Sequence, residues 1–146
     1  VGDPAREHVA LGPLINEKQL ARVHEIVTQA VSEGAQLAAG GTYKGLFYNP
    51  TVLTGVRAGM RAFREEIFGP VANITPFATD EEAIALANDT EYGLSAGILS
   101  RSVGRAMRCL MRRCTQSRFL SIPGSVSSRM QIGMPDSCKR PIGESP

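Results

Sequence analysis

The sequence predicts an α/β fold: a layered, largely parallel sheet with flanking helices. Three observations predict it. An apolar stripe at helical spacing (Leu20, Val23, Val27, Ala30 and Val31) follows a cap signal at Asn16. A second cap signal, Thr79 with Glu82, opens a helix that carries Ala83, Ile84, Leu86 and Ala87. Short runs rich in β-branched and aromatic residues lie between and after these segments, and strands alternating with helices are the pattern of a layered α/β domain.

Residues 1–15 read as loop, with Gly2, Pro4, Gly12 and Pro13 as breakers. Gln19, three residues after Asn16, is placed to complete a capping box, and Gly34 supplies a left-handed stop after the first helix. Residues 36–39 fit a short strand before the Gly40-Gly41 turn. Residues 46–53 read as one strand, marked by Pro50 as edge or irregular. Residues 60–70 have no clean periodicity, and 71–77 read as a strand. The second helix is expected through Asn88, a turn at Tyr92-Gly93, a strand over 95–99, and a third helix from near Ser102 through at least Met107. From Arg108 the pattern fades, with arginines, serines and prolines interrupting any stripe.

Composition breaks at the same place. Residues 1–107 hold nine Lys/Arg and twelve Asp/Glu, a net −3, whereas 108–146 hold seven and two, a net +5. Alanine is absent after Arg108, and Cys109, Cys114 and Cys138 all fall there. A shifted reading frame near codon 108, or disorder, would produce such a tail; the expected division is therefore 1–107 and 108–146. The acidic first stretch offers no basic patch for nucleic acid. No apolar run approaches the roughly 20 residues of a membrane span, so no membrane partner is expected. No secretory leader is visible, and the expectation is a cytoplasmic protein. The chain starts at Val1 rather than at a methionine, as an internal stretch of a longer protein would.

Generic chemistry motifs are missing: there is neither GxGxxG nor GxxxxGK. Cys109 and Cys114 lack suitably spaced partners, and no metal site is expected. His8 and His24 are lone, and His24, beside the helical stripe, fits a partly exposed packing residue. The informative run is Glu65-Glu66-Ile67-Phe68-Gly69-Pro70. A carboxylate can accept both hydroxyl protons of a ribose diol through its two oxygens. An aromatic ring two residues on could pack against a flat heterocycle. By themselves these residues fit better a solvated loop with Phe68 tucked into the core.

Several stretches in register resemble the aldehyde dehydrogenase superfamily. They are Gly12-Pro13-Leu14-Ile15, Gln19 with Arg22-Val23, Glu33-Gly34-Ala35, Gly40-Gly41, residues 47–53, Glu65 through Val71, Glu82-Ala83-Ile84, and 87–96. The resemblance covers about residues 1–107. Residues 98–107 look most like the branch acting on aromatic aldehydes such as benzaldehyde or vanillin. The resemblance implies a partial catalytic domain of an enzyme that oxidises an aldehyde to a carboxylic acid with NAD or NADP. In that family a cysteine thiolate attacks the aldehyde, hydride passes to the nicotinamide, and a glutamate-activated water releases the acid. It further implies that Glu66 holds the nicotinamide-ribose hydroxyls, that Phe68 packs near the nicotinamide, and that Glu65 is structural. The family's nucleophile and general base precede the stretch matched here, so none of the three cysteines inherits that role and the chain alone is expected to be inactive. The complete parent is expected to be a homo-oligomer binding a small-molecule aldehyde. Two other readings of the residues remain: a non-catalytic binding module of the same fold, and a decayed product without a stable core.

Overall fold

The computed structural model describes residues 1–92, 95–111, 118–121 and 129–132. The chain divides into two compact units, Val1–Pro76 and Phe77–Pro146.

The first unit is organised around helix α1 (Glu17–Ser32). Asn16 caps it from extended backbone, its Oδ1 accepting the Gln19 amide at 2.8 Å. The stop is equally local. The Gly34 amide donates to the Val31 carbonyl and the Ala35 amide to that of Ala30, with Gly34 at φ +100°. This is the paired-bond termination that needs a left-handed residue after the cap. Of the predicted stripe, Val23, Val27 and Ala30 are buried and Leu20 is half-buried. Ile26 joins them, and Val31, one residue round the helix, is exposed. Ala35, Tyr48, Leu53, Val56, Met60, Ala62 and Ile67 complete this core. Each fully buried Ile, Val or Leu here contributes about 1.5–3 kcal/mol from removal of apolar surface.

The strands are β1 (Gln36–Ala39), β2 (Tyr43–Lys44), β3 (Phe47–Tyr48), β4 (Thr51–Thr54) and β5 (Val71–Ile74). The strand expected over 46–53 is in fact two. Pro50 has no amide to donate, and the ladder breaks at Asn49-Pro50. The Asn49 amide turns instead to the Thr42 carbonyl, and β3 pairs with β2 in a small hairpin. At the Gly40-Gly41 turn a Cβ on Gly40, at φ +75°, would collide with the Pro50 carbonyl and with Thr51, so glycine is required there. In β4, Thr51 and Leu53 are buried and alternate with half-buried Val52 and Thr54. The short helix α2 (Arg61–Arg64) lies in the stretch that showed no periodicity, being a single turn.

The α/β class holds, but the sheets are mixed rather than largely parallel. In the order β1-β4-β5, β1 pairs antiparallel with β4 and β4 pairs parallel with β5. Connection length explains both. Residues 40–50 join β1 to β4 through turns and a hairpin, whereas 55–70, with α2, make the longer crossover that a parallel pair requires.

The second unit holds α3 (Asp80–Asn88), β6 (Ser95–Leu99), α4 (Val103–Met111), β7 (Arg118–Ser121) and β8 (Arg129–Ile132). Thr79 Oγ1 accepts the Glu82 amide, and the Glu82 carboxylate accepts the Ala78 amide, one residue before the cap. Ser102 Oγ accepts the Arg105 amide at the start of α4. β6 is central, parallel to β7 and antiparallel to β8. α4 therefore extends past Met107, and two further strands occur where the sequence offered no pattern. Among the described residues no helix is long and apolar enough to cross a membrane.

Candidate functional site

The Glu65–Pro70 loop follows α2 and is fastened to the first unit from several sides. Ile67 is buried in the core. Gly69 runs so close to α1 that a Cβ there would lie 2.8 Å from Val23 Cγ2. The Thr51 amide of β4 donates to the Pro70 carbonyl at 2.8 Å. Between these anchors the backbone carbonyls of Glu66, Ile67 and Phe68 accept from two side chains of α1. Gln19 Nε2 donates to Ile67 O at 2.9 Å and Phe68 O at 3.0 Å. Arg22 Nη1 donates to Glu66 O at 2.8 Å and Ile67 O at 3.2 Å.

The expected capping box at α1 is thus corrected. The Gln19 amide serves the Asn16 cap, but its side chain does not fold back; it leaves for the loop. Gln19 and Arg22 are three apart and share a helix face, so both reach the same acceptors. Sequence reasoning gave neither residue this task. Their signals in the sequence are a place among the family-like stretches and position, two long polar side chains beside the buried stripe.

Glu65 and Glu66 divide sharply. Glu65 Oε2 pairs with Arg22 Nη2 at 3.0 Å, and Oε1 with Arg61 Nε at 2.8 Å; Arg61 Nη1 also reaches Glu25 Oε1 at 3.0 Å. The hydrogen bond from Arg61 holds the Glu65 carboxyl below the usual carboxylate range, followed by the charges of Arg61 and Arg22, against the opposing effect of desolvation. Among the described residues no hydrogen bond or ion pair engages the Glu66 carboxylate, which is half-buried.

Phe68 is not tucked into the core. Its side of the loop is open, with 63% of the residue exposed, and its backbone sits at φ +52°. It is the one non-glycine residue with positive φ among the described residues. A bulky side chain held left-handed costs on the order of 1–2 kcal/mol and persists only where the surroundings impose it. Such outliers concentrate at binding and catalytic sites. The loop therefore presents an unengaged carboxylate and an exposed ring two residues apart on a fixed backbone. That pair fits a diol joined to a flat heterocycle, as in a nicotinamide riboside: two acceptor oxygens for the hydroxyls and an apolar face for the ring.

His24 is a packing residue, half-buried, with Nδ1 3.2 Å from the Tyr48 hydroxyl and its ring edge-on to Tyr43 at 5.0 Å between centroids. Cys109 is a free thiol in α4; Cys114 and Cys138 lie outside the described residues.

Residues 1–116 match the model of the aldehyde dehydrogenase family. The chain is 53% identical over 107 residues to a benzaldehyde dehydrogenase [NAD(+)] of Pseudomonas putida, covering 73% of this chain and 22% of that protein. It is 48% identical to a vanillin dehydrogenase of an Amycolatopsis species over the same shares of both chains. Its structure superposes on that of an NAD-dependent aldehyde dehydrogenase from Sinorhizobium meliloti with a TM-score of 0.76 and 42% identity, over 83% of this chain and 24% of that one. The chain thus spans about a quarter or less of the length of these relatives, over a stretch that includes the Glu65–Pro70 loop. The chain belongs to the aldehyde dehydrogenase family.

Proposed function

We propose that this chain supplies the nicotinamide-ribose side of the active site in an NAD(P)-dependent enzyme that oxidises an aldehyde to a carboxylic acid. The observation that carries the reading is the pairing of an unengaged Glu66 carboxylate with an exposed, left-handed Phe68 on a backbone pinned to α1. Glu66 accepts the two ribose hydroxyls, which fixes the rotation of the sugar. Phe68 covers one face of the nicotinamide and keeps water from it. When bound, the nicotinamide supplies the hydride acceptor. Glu65, committed to Arg22 and Arg61, does not contact the sugar. The substrate reading is an aromatic aldehyde, supported by the names of the benzaldehyde and vanillin relatives and by the resemblance of residues 98–107 to that branch. None of the three cysteines stands in the family nucleophile's motif, and the 146 residues by themselves do not oxidise aldehyde; aldehyde-dependent NADH formation by the purified chain would refute that. A homo-oligomeric, cytoplasmic parent that binds neither nucleic acid nor membrane belongs to the same proposal. So does the division at residue 107, which an uninterrupted frame encoding this tail in close relatives would remove.

The test uses the chain itself. Two charge-assisted hydrogen bonds and one ring contact are largely offset by the cost of association, so binding is weak and the titration is carried to high ligand concentration. An isotope-labelled chain titrated with nicotinamide mononucleotide is expected to show shift changes centred on residues 65–70. Glu66→Gln should weaken binding while leaving the core resonances in place. Shifts absent from this loop, or equal affinity in the variant, would remove Glu66 from the site.

A further inference from the structure

We propose that Gln19 and Arg22 are positioning residues for the nucleotide site. They hold Phe68 left-handed by gripping the carbonyls of Glu66, Ile67 and Phe68, and Glu65 with Arg61 fixes Arg22 for that task. The proposal rests on the reading of Glu66 and Phe68 as nucleotide-contacting groups, and it names what sets their geometry.

Three features carry it. First, no backbone amide donates to these three carbonyls among the described residues; their donors are the Gln19 amide group and the Arg22 guanidinium. Each carbonyl lies in one peptide plane, so bonds to the Ile67 and Phe68 carbonyls orient the two planes that flank the Phe68 Cα and thereby constrain its φ and ψ, while the bond to Glu66 O fixes the plane before them. Second, Arg22 is itself locked. Its Nη2 bonds to Glu65, the other Glu65 oxygen bonds to Arg61, and Arg61 bonds to Glu25. The circuit begins at Arg22 and returns to Glu25 on the same helix. Third, the task needs a fork. One Nη of Arg22 serves the carbonyls while the other serves Glu65, a division that a lysine ammonium on one carbon stem does not reproduce. Gln19 Nε2 and both Nη atoms of Arg22 are engaged by the loop, and Glu66 and Phe68 are left to meet the nucleotide.

The experiment compares Arg22→Lys and Gln19→Ala with the unaltered chain. Three quantities are read: the amide-to-α-proton coupling of Phe68, which reports its φ; the affinity for nicotinamide mononucleotide; and the exchange of core amides at Val27 and Leu53. Both variants are expected to move the Phe68 coupling away from its left-handed value. If a tenth of the molecules keep the loop geometry, affinity falls about tenfold. Core amides should exchange as before, which separates positioning from general destabilisation. An unchanged Phe68 coupling with an intact core overturns the proposal. So does faster exchange throughout the core in step with the loop, because the two residues would then be merely structural. Should the unaltered chain bind no nucleotide, the functional reading above fails, while the Phe68 coupling still decides what holds the loop.

Discussion

Gly69 is the residue whose replacement tests the geometry of the loop most directly. It is not among the residues at positive φ, so alanine there meets steric resistance and no left-handed strain. An ideal Cβ would lie 2.8 Å from Val23 Cγ2 and 3.0 Å from Cγ1. Carbon atoms rest at about 3.5 Å or more, so the loop or the helix must retreat by about 0.7 Å. Val23 is fully buried and has little freedom to move. A retreat of the loop by that much would stretch the carbonyl bonds from Gln19 and Arg22, now 2.8–3.2 Å, to or beyond the limit of hydrogen-bonding distance. Overpacking of this kind costs about 1–3 kcal/mol. Val23→Ala alone removes two buried methyls and costs about 2 kcal/mol. In the double variant the new methyl enters the space that the valine vacated. The two costs should therefore not add, and a coupling of about 1–2 kcal/mol in favour of the double variant is expected. Urea unfolding followed by exchange of α1 amides reads the stability of the first unit. Additivity to within about 0.5 kcal/mol would show that Gly69 does not press on Val23, and the packing of loop on helix would be wrong.

Three further outcomes follow from the same contacts. Glu65 titrates below its unfolded value, so its contribution is present above about pH 4.3 and is lost as pH falls through the lower folded value. Thermal melting at pH 7 and pH 3 should accordingly show a smaller acid loss in Glu65→Gln than in the unaltered chain; equal losses would show that the pair adds nothing. Burial, and then the neighbouring Tyr43, raise the Tyr48 hydroxyl, so stability should fall as pH rises above about 10, where the unfolded chain ionises first. Tyr48→Phe should flatten that alkaline fall in melting temperature, and an unchanged slope would assign it to other groups. Asn16→Ala should fray the first turn of α1 at about 1 kcal/mol, read by exchange at Gln19 and Leu20, whereas Gln19→Ala, whose side chain does not serve the cap, should leave that turn protected.

What the sequence reveals divides along the range of the forces. The start and stop of α1 are legible because Asn16 and Gly34 act on amides and carbonyls within a few residues of themselves. The same holds for Thr79 and Glu82. Strand direction is not legible, since whether β1 runs with or against β4 depends on the path of the intervening chain, and Pro50 divides a run that local propensity reads as continuous. α2 is too short to show a period. The candidate nucleotide loop is the extreme case. Glu66 and Phe68 stand out by family resemblance and by residue chemistry, but nothing local makes phenylalanine left-handed. That conformation depends on Gln19 and Arg22, more than forty positions earlier, whose bonds to the loop close only after α1 has packed. A residue whose backbone contradicts its own preference marks the place where tertiary structure overrides local propensity. In this chain that residue is the aromatic partner of the unengaged carboxylate, so the strained backbone and the candidate nucleotide contact fall on the same side chain.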